Sequence, residues 1–284
     1  MKRILLPTDF SENAYNAICY AVEFFKEEAC EFYLLNTYTP VAYNVGSLVN
    51  SYSALQLQEI AGKNAQQGLD DIIAKLKKDF NNSRHEFRSI AVFNLFINEM
   101  LEVISENDIE LVVMGTQGAT GAKEVFMGTH TMFAIKKVKC PVLAVPSGFK
   151  YEAPKEILFP TDFRVNRTNR QLSLLKEISS DHNSRIHILN AYYSVPLDEK
   201  QKDIKSFLDA YFLDNAHLFH IAEGTDVLDA VETFQQKNKI NLLVMIHNKH
   251  SFFENLLFKP VINQIVYHTK VPFLVIPSEE RMMA

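Results

Sequence analysis

The sequence predicts an α/β fold made of two tandem doubly wound domains, each a parallel sheet with helices on both faces. Two observations carry this reading. Short β-rich apolar runs alternate with longer segments of helical period, the pattern of parallel βα units rather than of an antiparallel meander. The start of the chain also returns in its middle: Lys2-Arg3-Ile4-Leu5-Leu6-Pro7-Thr8-Asp9-Phe10 reappears as Lys155-Glu156-Ile157-Leu158-Phe159-Pro160-Thr161-Asp162-Phe163, with seven identities in nine. The ends of the halves match as well, Lys139-Cys140-Pro141-Val142 through Ser147 against Lys270-Val271-Pro272-Phe273 through Ser278. A repeat of roughly 140 residues is the size of one globular domain and too long for a solenoid unit. The expected domains are residues 1–148 and 149–284.

In the first half, five runs read as strands: residues 3–8, 31–38, 86–92, 111–115 and 141–145. Ser11 is placed to cap a helix whose apolar stripe is Ala14, Ile18, Ala21, Val22 and Phe25. Leu69, Ile72, Ile73 and Leu76 give the stripe of a second helix, and Ile97, Met100, Leu101 and Ile104 that of a third. Val125 through Val138 gives a fourth. An open sheet of this kind binds ligands beyond the carboxyl ends of its strands, at the switch in strand order.

That rim holds the most informative segment. Four of the nine glycines fall within fourteen residues, as Met114-Gly115-x2-Gly118-x2-Gly121 and Gly128-Thr129, directly after the apolar run Leu111-Val112-Val113. A strand that ends in a glycine-rich loop and re-enters a helix exposes backbone N–H groups to anions, phosphate above all. The spacing Gly-x2-Gly-x9-Gly-Thr is neither the P-loop nor the dinucleotide fingerprint. Asp9, in Pro7-Thr8-Asp9-Phe10-Ser11, closes the first strand on the same rim. It reads equally as a helix-capping residue, and its duplicate Asp162, which persists in a half without the glycines, favours a structural share in its role.

Composition excludes other classes. The chain has 284 residues, 47% hydrophobic and 22% charged, with a formal net charge of −5. It therefore offers two well-cored domains and no basic field for nucleic acid. No window approaches a membrane span, and the start carries no signal-peptide apolar region. Cys19, Cys30 and Cys140 have unrelated spacings, which fits reduced thiols and a cytoplasmic protein rather than a disulfide framework or zinc site.

Pro7-Thr8-Asp9 after the first strand, Met114-Gly115-x2-Gly118-x9-Gly128-Thr129 after the fourth, and the closing Cys140-Pro141-Val142-Leu143-Ala144-Val145-Pro146 resemble the universal stress protein family in its tandem-domain form. The resemblance covers nearly the whole chain. It implies a five-stranded parallel sheet in order 3-2-1-4-5 in each domain, with ATP or another adenine nucleotide, with or without magnesium, lying across the rim. It also implies pairing through the last strands, those of Leu143 and Leu274, as an internal pseudo-dimer or in a homodimer. Carried over, Asp9 would approach the adenosine and the backbone at Asn36 and Thr37 the adenine edge. Gly115 and Gly118 would let the chain pass close to ribose and phosphates, and Gly128 and Thr129 would donate N–H groups and a hydroxyl. Pro7, Thr8, Met114 and Gly121 complete the expected nucleotide-binding set. Lys123, the nearest loop cation, reads as a solvated surface residue.

The second half departs from the motif at every position. Ile246 stands opposite Gly115, Lys249 opposite Gly118, Lys259 opposite Gly128, and Pro260, which has no N–H to donate, opposite Thr129. One nucleotide per chain, in the first domain, is the expectation. The halves also differ in length, with 58 positions from Asn36 to Asn94 but 34 from Asn190 to Gly224. The extra segment, Tyr38 through Gln58 with Tyr43, Gly46 and Tyr52, reads as a loop that folds over a ligand, stays disordered or binds a partner. Asn94, opposite Gly224, reads as a left-handed turn residue.

His217, His220, His247 and His250 raise the idea of a metal or anion site in the second domain, but no third ligand has recognisable spacing. No nucleophile with a spaced base and no paired carboxylates accompany the rim. Three classes remain: an ATP-binding regulatory or stress-response protein, favoured by the resemblance; a slow ATPase or autokinase; and a nucleotide-independent interaction module.

Overall fold

A computed structural model of the chain describes residues 1–39, 51–116, 128–167, 172–192, 197–247 and 270–278. Its contacts divide it into two compact units, Met1–Val138 and Lys139–Ala284. The first unit contains β1 (Lys2–Pro7), α1 (Glu12–Phe24), β2 (Cys30–Thr37), α2 (Ser51–Phe80), β3 (His85–Val92), α3 (Phe96–Glu106), β4 (Leu111–Gly115) and α4 (Thr129–Lys137). These strands lie in the order β3-β2-β1-β4, paired in parallel with Ile4 opposite Phe32 and Leu111, and Phe32 opposite Phe87.

The strand sequences explain the layering. Ile4, Leu5, Leu6, Phe32, Leu34 and Leu35 are all fully buried, because a parallel strand is covered on both faces and reads as an unbroken apolar run. Chain order then assigns the faces. β1 to β2 to β3 steps one way across the sheet and β3 to β4 steps back, so right-handed crossovers put α1 and α2 on one face and α3 on the other. α1 packs with α2, and α3 with α4.

The expected strands match to within a residue, and the α1 stripe is buried at Ala14, Ile18, Ala21, Val22 and Phe25. Ser11 caps α1, its hydroxyl accepting the Ala14 N–H at 3.1 Å. Two readings change. Leu101, assigned to the buried stripe of α3, is 37% exposed, and Val103 is buried instead. Residues 51–58, read as part of a loop, form the start of the 30-residue α2; 40–50, with Tyr43 and Gly46, lie outside the described residues.

The second unit contains β5 (Val142–Val145), β6 (Glu156–Pro160), α5 (Leu172–Asp181), β7 (Arg185–Tyr192), α6 (Glu199–Tyr211), β8 (Ala216–Glu223), α7 (Val227–Lys237), β9 (Leu242–His247) and β10 (Phe273–Pro277). Strands β8-β7-β6-β9-β10 repeat the order third-second-first-fourth-fifth in parallel, and β5 pairs antiparallel to β10 with Leu143 opposite Leu274. The shorter spacing of this half appears as a 13-residue α6 in place of the 30-residue α2.

One cross-strand ion pair is inverted between the repeats. Arg3 on β1 lies opposite Glu31 on β2, Nε to Oε2 at 3.9 Å; at the equivalent register Glu156 on β6 faces Arg185 on β7 at 3.7 Å. Glu31 is buried, which by itself would raise its carboxyl, but the Tyr33 hydroxyl at 2.7 Å and the Arg88 and Arg3 guanidinium groups hold it below its ordinary value. A depressed folded-state value adds stability that is present in neutral solution and lost as acid titrates the folded group. Glu31→Gln is therefore expected to lower unfolding stability by about 1–3 kcal/mol at neutral pH. Urea titrations should show the deficit narrowing on acidification; a deficit independent of pH would contradict the assignment.

Candidate functional site

The carboxyl ends of β1, β2 and β4 and the start of α4 form one rim of the first unit. The turn after β1 organises it. Thr8 N donates to Leu35 O at 2.9 Å, and the buried Asn36 carboxamide donates to Thr8 O at 2.7 Å. The Thr8 hydroxyl accepts the Phe10 N–H at 3.0 Å and Asp9 Oδ1 the Ser11 N–H at 3.1 Å. Phe10 is thereby held at φ 64°, a left-handed conformation that costs a bulky residue about 1–2 kcal/mol. Its ring lies on α2 at Gly68, where an added Cβ would come within 2.8 Å of the ring. Asp9 is exposed at the head of this turn.

The turn brings α1 in at once, so its first turn meets β4. A Cβ built on Gly115 would stand 3.1 Å from both the Asn13 carboxamide nitrogen and the Asn13 carbonyl oxygen. The constraint visible at Gly115 is thus the close packing of α1 on β4. Thr131 in α4 donates its hydroxyl to Gly115 O at 2.8 Å, and Gly128 N–H bonds to Thr116 O, tying α4 to the end of β4. Gly128 is the N-cap of α4 and Thr129 its first residue.

The first-turn N–H groups of a helix have no partner within it. At α4 the N-cap is Gly128, which brings no side-chain cap, and no acidic residue occupies the first turn, while Lys136 and Lys137 close the last. α3 also lacks a side-chain cap but carries Glu99 in its first turn. Among the described residues nothing therefore offsets the positive partial charge at the start of α4, beside the end of β4.

The structure therefore gathers Pro7, Thr8, Asp9, Asn36, Thr37, Met114, Gly115, Gly128 and Thr129 along the strand ends and helix start of one rim. Pro7, Thr8, Asn36, Met114 and Gly115 are buried, Thr37 and Gly128 half-buried, and Asp9 and Thr129 exposed. Gly118, Gly121 and Lys123 lie outside the described residues. The Gly128 N–H, expected to be open to a phosphate, is taken by Thr116 O, and the donors that have no partner among the described residues are those of the following turn. The sequence reading missed Asn13, Thr116 and Thr131. Thr131 carried a signal, a second hydroxyl in Gly128-Thr129-His130-Thr131; Asn13 carried none, because its partner lies 102 positions away.

The second unit repeats the turn closely. Thr161 N donates to Leu189 O at 2.8 Å, Asn190 Nδ2 to Thr161 O at 2.8 Å, Phe163 N to Thr161 Oγ1 at 3.0 Å and Arg164 N to Asp162 Oδ1 at 3.0 Å, with Phe163 at φ 54°. Asp162 and Asp9 thus perform the same structural task. The chain leaving the two turns differs. Residues 164–167 are not helical, whereas their counterparts 11–14 cap and open α1. Without that helix start, buried Ile246 occupies the place of Gly115. Gln201, in the capping box of α6, donates to Asp162 O at 2.8 Å, and Phe163 is 2% exposed where Phe10 is 41% exposed. Lys249, His250, Lys259 and Pro260 lie outside the described residues.

Two smaller readings resolve on the same rims. Gly224 is left-handed at φ 70°, but Asn94 is not: its side chain accepts the Leu95 N–H and donates to Glu99, both at 2.8 Å, which fixes the start of α3. The described histidines each bond elsewhere. His217 bonds Asp209 at 3.0 Å, His220 turns to His187 at 2.9 Å, and His247 is buried at the end of β9. Among the described residues no group of three metal-ligating side chains includes a histidine.

The sequence profile described as the Universal stress protein family matches residues 1–146, just over half of the chain. The chain is 27% identical over 154 residues to universal stress protein MJ0577 of Methanocaldococcus jannaschii, spanning 51% of this chain and 94% of the relative. It is 28% identical over 144 residues to universal stress protein MJ0531 of the same organism, spanning 51% and 81%. The crystal structure of a universal stress protein from Archaeoglobus fulgidus DSM 4304 shares the fold over 97% of this chain and 96% of its own, with a TM-score of 0.65 at 17% identity.

Gly115→Val is expected to destabilise the protein by about 1–3 kcal/mol by forcing α1 from β4, seen as a lower urea midpoint at unchanged m-value. Burial pushes the Asp162 carboxyl above its ordinary value, a rise only partly offset by the Arg164 N–H and guanidinium. A raised folded-state value contributes stability in acid that is lost as pH rises. Asp162→Asn, which keeps an acceptor for Arg164, should therefore gain stability at neutral pH and nothing in acid, as read by thermal melts across pH.

Proposed function

The chain belongs to the universal stress protein family, and from that premise we propose that it is an adenine-nucleotide-binding regulatory protein whose first domain, residues 1–148, holds one nucleotide. The second domain, 149–284, holds none. The observation that carries the reading is the first turn of α4, uncapped among the described residues and following the glycine-rich segment in sequence, on one rim with an exposed Asp9 and the end of β2.

The triphosphate is assigned to the N–H groups following Gly128, the Thr129 hydroxyl and the glycine-rich segment containing Gly118 and Gly121. Backbone N–H and hydroxyl donors are uncharged, so they stabilise a bound anion without a titratable partner. The adenosine is assigned to the strip between Asp9 and the backbone of Asn36 and Thr37. Nucleotide retention without turnover is in keeping with the chemistry of the rim, where no side chain is paired as nucleophile and base among the described residues. The asymmetry between the halves is supported by Ile246 at the Gly115 position and by Gln201 covering the turn at Asp162.

Mass spectrometry of small molecules released from the purified protein is expected to find one adenine nucleotide per chain. Thermal shift should then rise with added ATP, by about 2.7 kcal/mol of stability at one hundred times the dissociation constant. Gly118→Val with Gly128→Val should abolish that shift. Two nucleotides per chain, or no shift in the unaltered protein, would refute the proposal.

A further inference from the structure

The second unit contains a half-buried chain of titratable groups, centred on the buried His187, that the nucleotide rim does not use. His187 on β7, with 8% of its side chain exposed, places Nε2 at 2.7 Å from Glu156 Oε2 on β6 and Nδ1 at 2.9 Å from His220 Nε2 on β8. Phe234 of α7 packs on both imidazoles, with ring centroids 5.3 and 4.8 Å away. The other oxygen of Glu156 faces Arg185 at 3.7 Å. From α7 the facing group is the uncharged Phe234 ring, since Asp229, Glu232 and Lys237 are exposed.

Proton bookkeeping fixes what this chain can do. A carboxylate only accepts, so His187 Nε2 carries the hydrogen given to Glu156. Neutral His187 then has a lone pair on Nδ1, and His220 must supply the hydrogen between the two rings. One added proton fits, because it enters at His220 Nδ1 and leaves both hydrogen bonds intact. A second does not, because it would put N–H groups nose to nose at 2.9 Å and two cations under one phenyl ring.

We propose that Glu156, His187 and His220 form an acid-sensitive latch that fastens β8 and α7 to the sheet of the second unit when the imidazole pair carries at most one extra proton, and releases them when it takes up two. The first unit has no counterpart: Tyr33 occupies the position of His187 and bonds Glu31 at 2.7 Å. Burial and the neighbouring His187 hold His220 below its ordinary value. A histidine lowered in the folded state destabilises as pH falls below the unfolded value, the direction the latch requires.

Amide hydrogen exchange of the full chain, corrected for intrinsic rates, tests the latch at about pH 7.5 and about pH 5. Protection of residues 216–237 is expected to fall about tenfold or more in acid while that of β1 and β2 holds. His220→Gln keeps a donor for His187 Nδ1 but cannot take a proton, so it should keep neutral protection and lose the acid response. An equal acid response in His220→Gln, or none in the unaltered protein, would overturn the latch. Imidazole NMR of the unaltered chain supplies a test that needs no variant. His220 should titrate below His217, where the lowering effect of burial is outweighed by Asn215 O and Asp209. His220 titrating at or above His217, or stabilisation by added zinc that His220→Gln removes, would refute it.

Discussion

The first unit is organised by one buried amide: the Asn36 side chain on the Thr8 carbonyl, 2.7 Å away. It ties the end of β2 to the turn leaving β1, and with the Thr8 and Asp9 side chains it holds Phe10 in a conformation that an unconstrained phenylalanine avoids. A strained residue persists only where its surroundings over-determine it. Three hydrogen bonds do so here, and the same set recurs around Phe163. The consequence is geometric. The chain turns so tightly that Ser11 caps α1 immediately, and the first turn of α1 then lies against β4. Gly115 has no side chain because Asn13 is already there.

The tandem repeat works as an internal control on this constraint. Both halves keep the amide clamp, both aspartates and both left-handed phenylalanines, yet only the first keeps the early helix start and the glycine. Where residues 164–167 leave the helix, an isoleucine fills the space. The clamp therefore does not by itself demand the glycine; the helix start does. The same comparison separates register from charge. Arg3 with Glu31 and Glu156 with Arg185 exchange signs at one cross-strand position, so the sheet requires complementarity there rather than a particular residue. Only in the second half does the neighbouring position hold a histidine, and there the carboxylate is joined to a pair of imidazoles rather than to a tyrosine hydroxyl.

The two rims consequently differ in what they leave open. In the first unit Asp9 is exposed and the start of α4 has no side-chain cap. In the second, Gln201 reaches from the capping box of α6 to the Asp162 carbonyl, and Phe163 is buried. The short α6 allows this, since its capped start lies near the turn, whereas α2 reaches its rim with Gly68 under Phe10. A difference in crossover length thus becomes a difference in access to the strand ends.

By itself the sequence determined the order and type of the elements, the duplication and the Ser11 cap, and it singled out the segment from Met114 to Thr129 that the proposed function assigns to a ligand. Each of these depends on residues close together in the chain, through strand runs, helical period, capping and the clustering of glycine. Tertiary structure alone decided that Asn13 sits against Gly115, that Asn36 holds Thr8, that Thr116 occupies the Gly128 N–H, that Val103 rather than Leu101 is buried, and that Asn94 stays out of the left-handed region. It also placed His187 between Glu156 and His220. These outcomes follow from strand register and helix start points, which bring together residues up to about a hundred positions apart, and no local pattern encodes such distances.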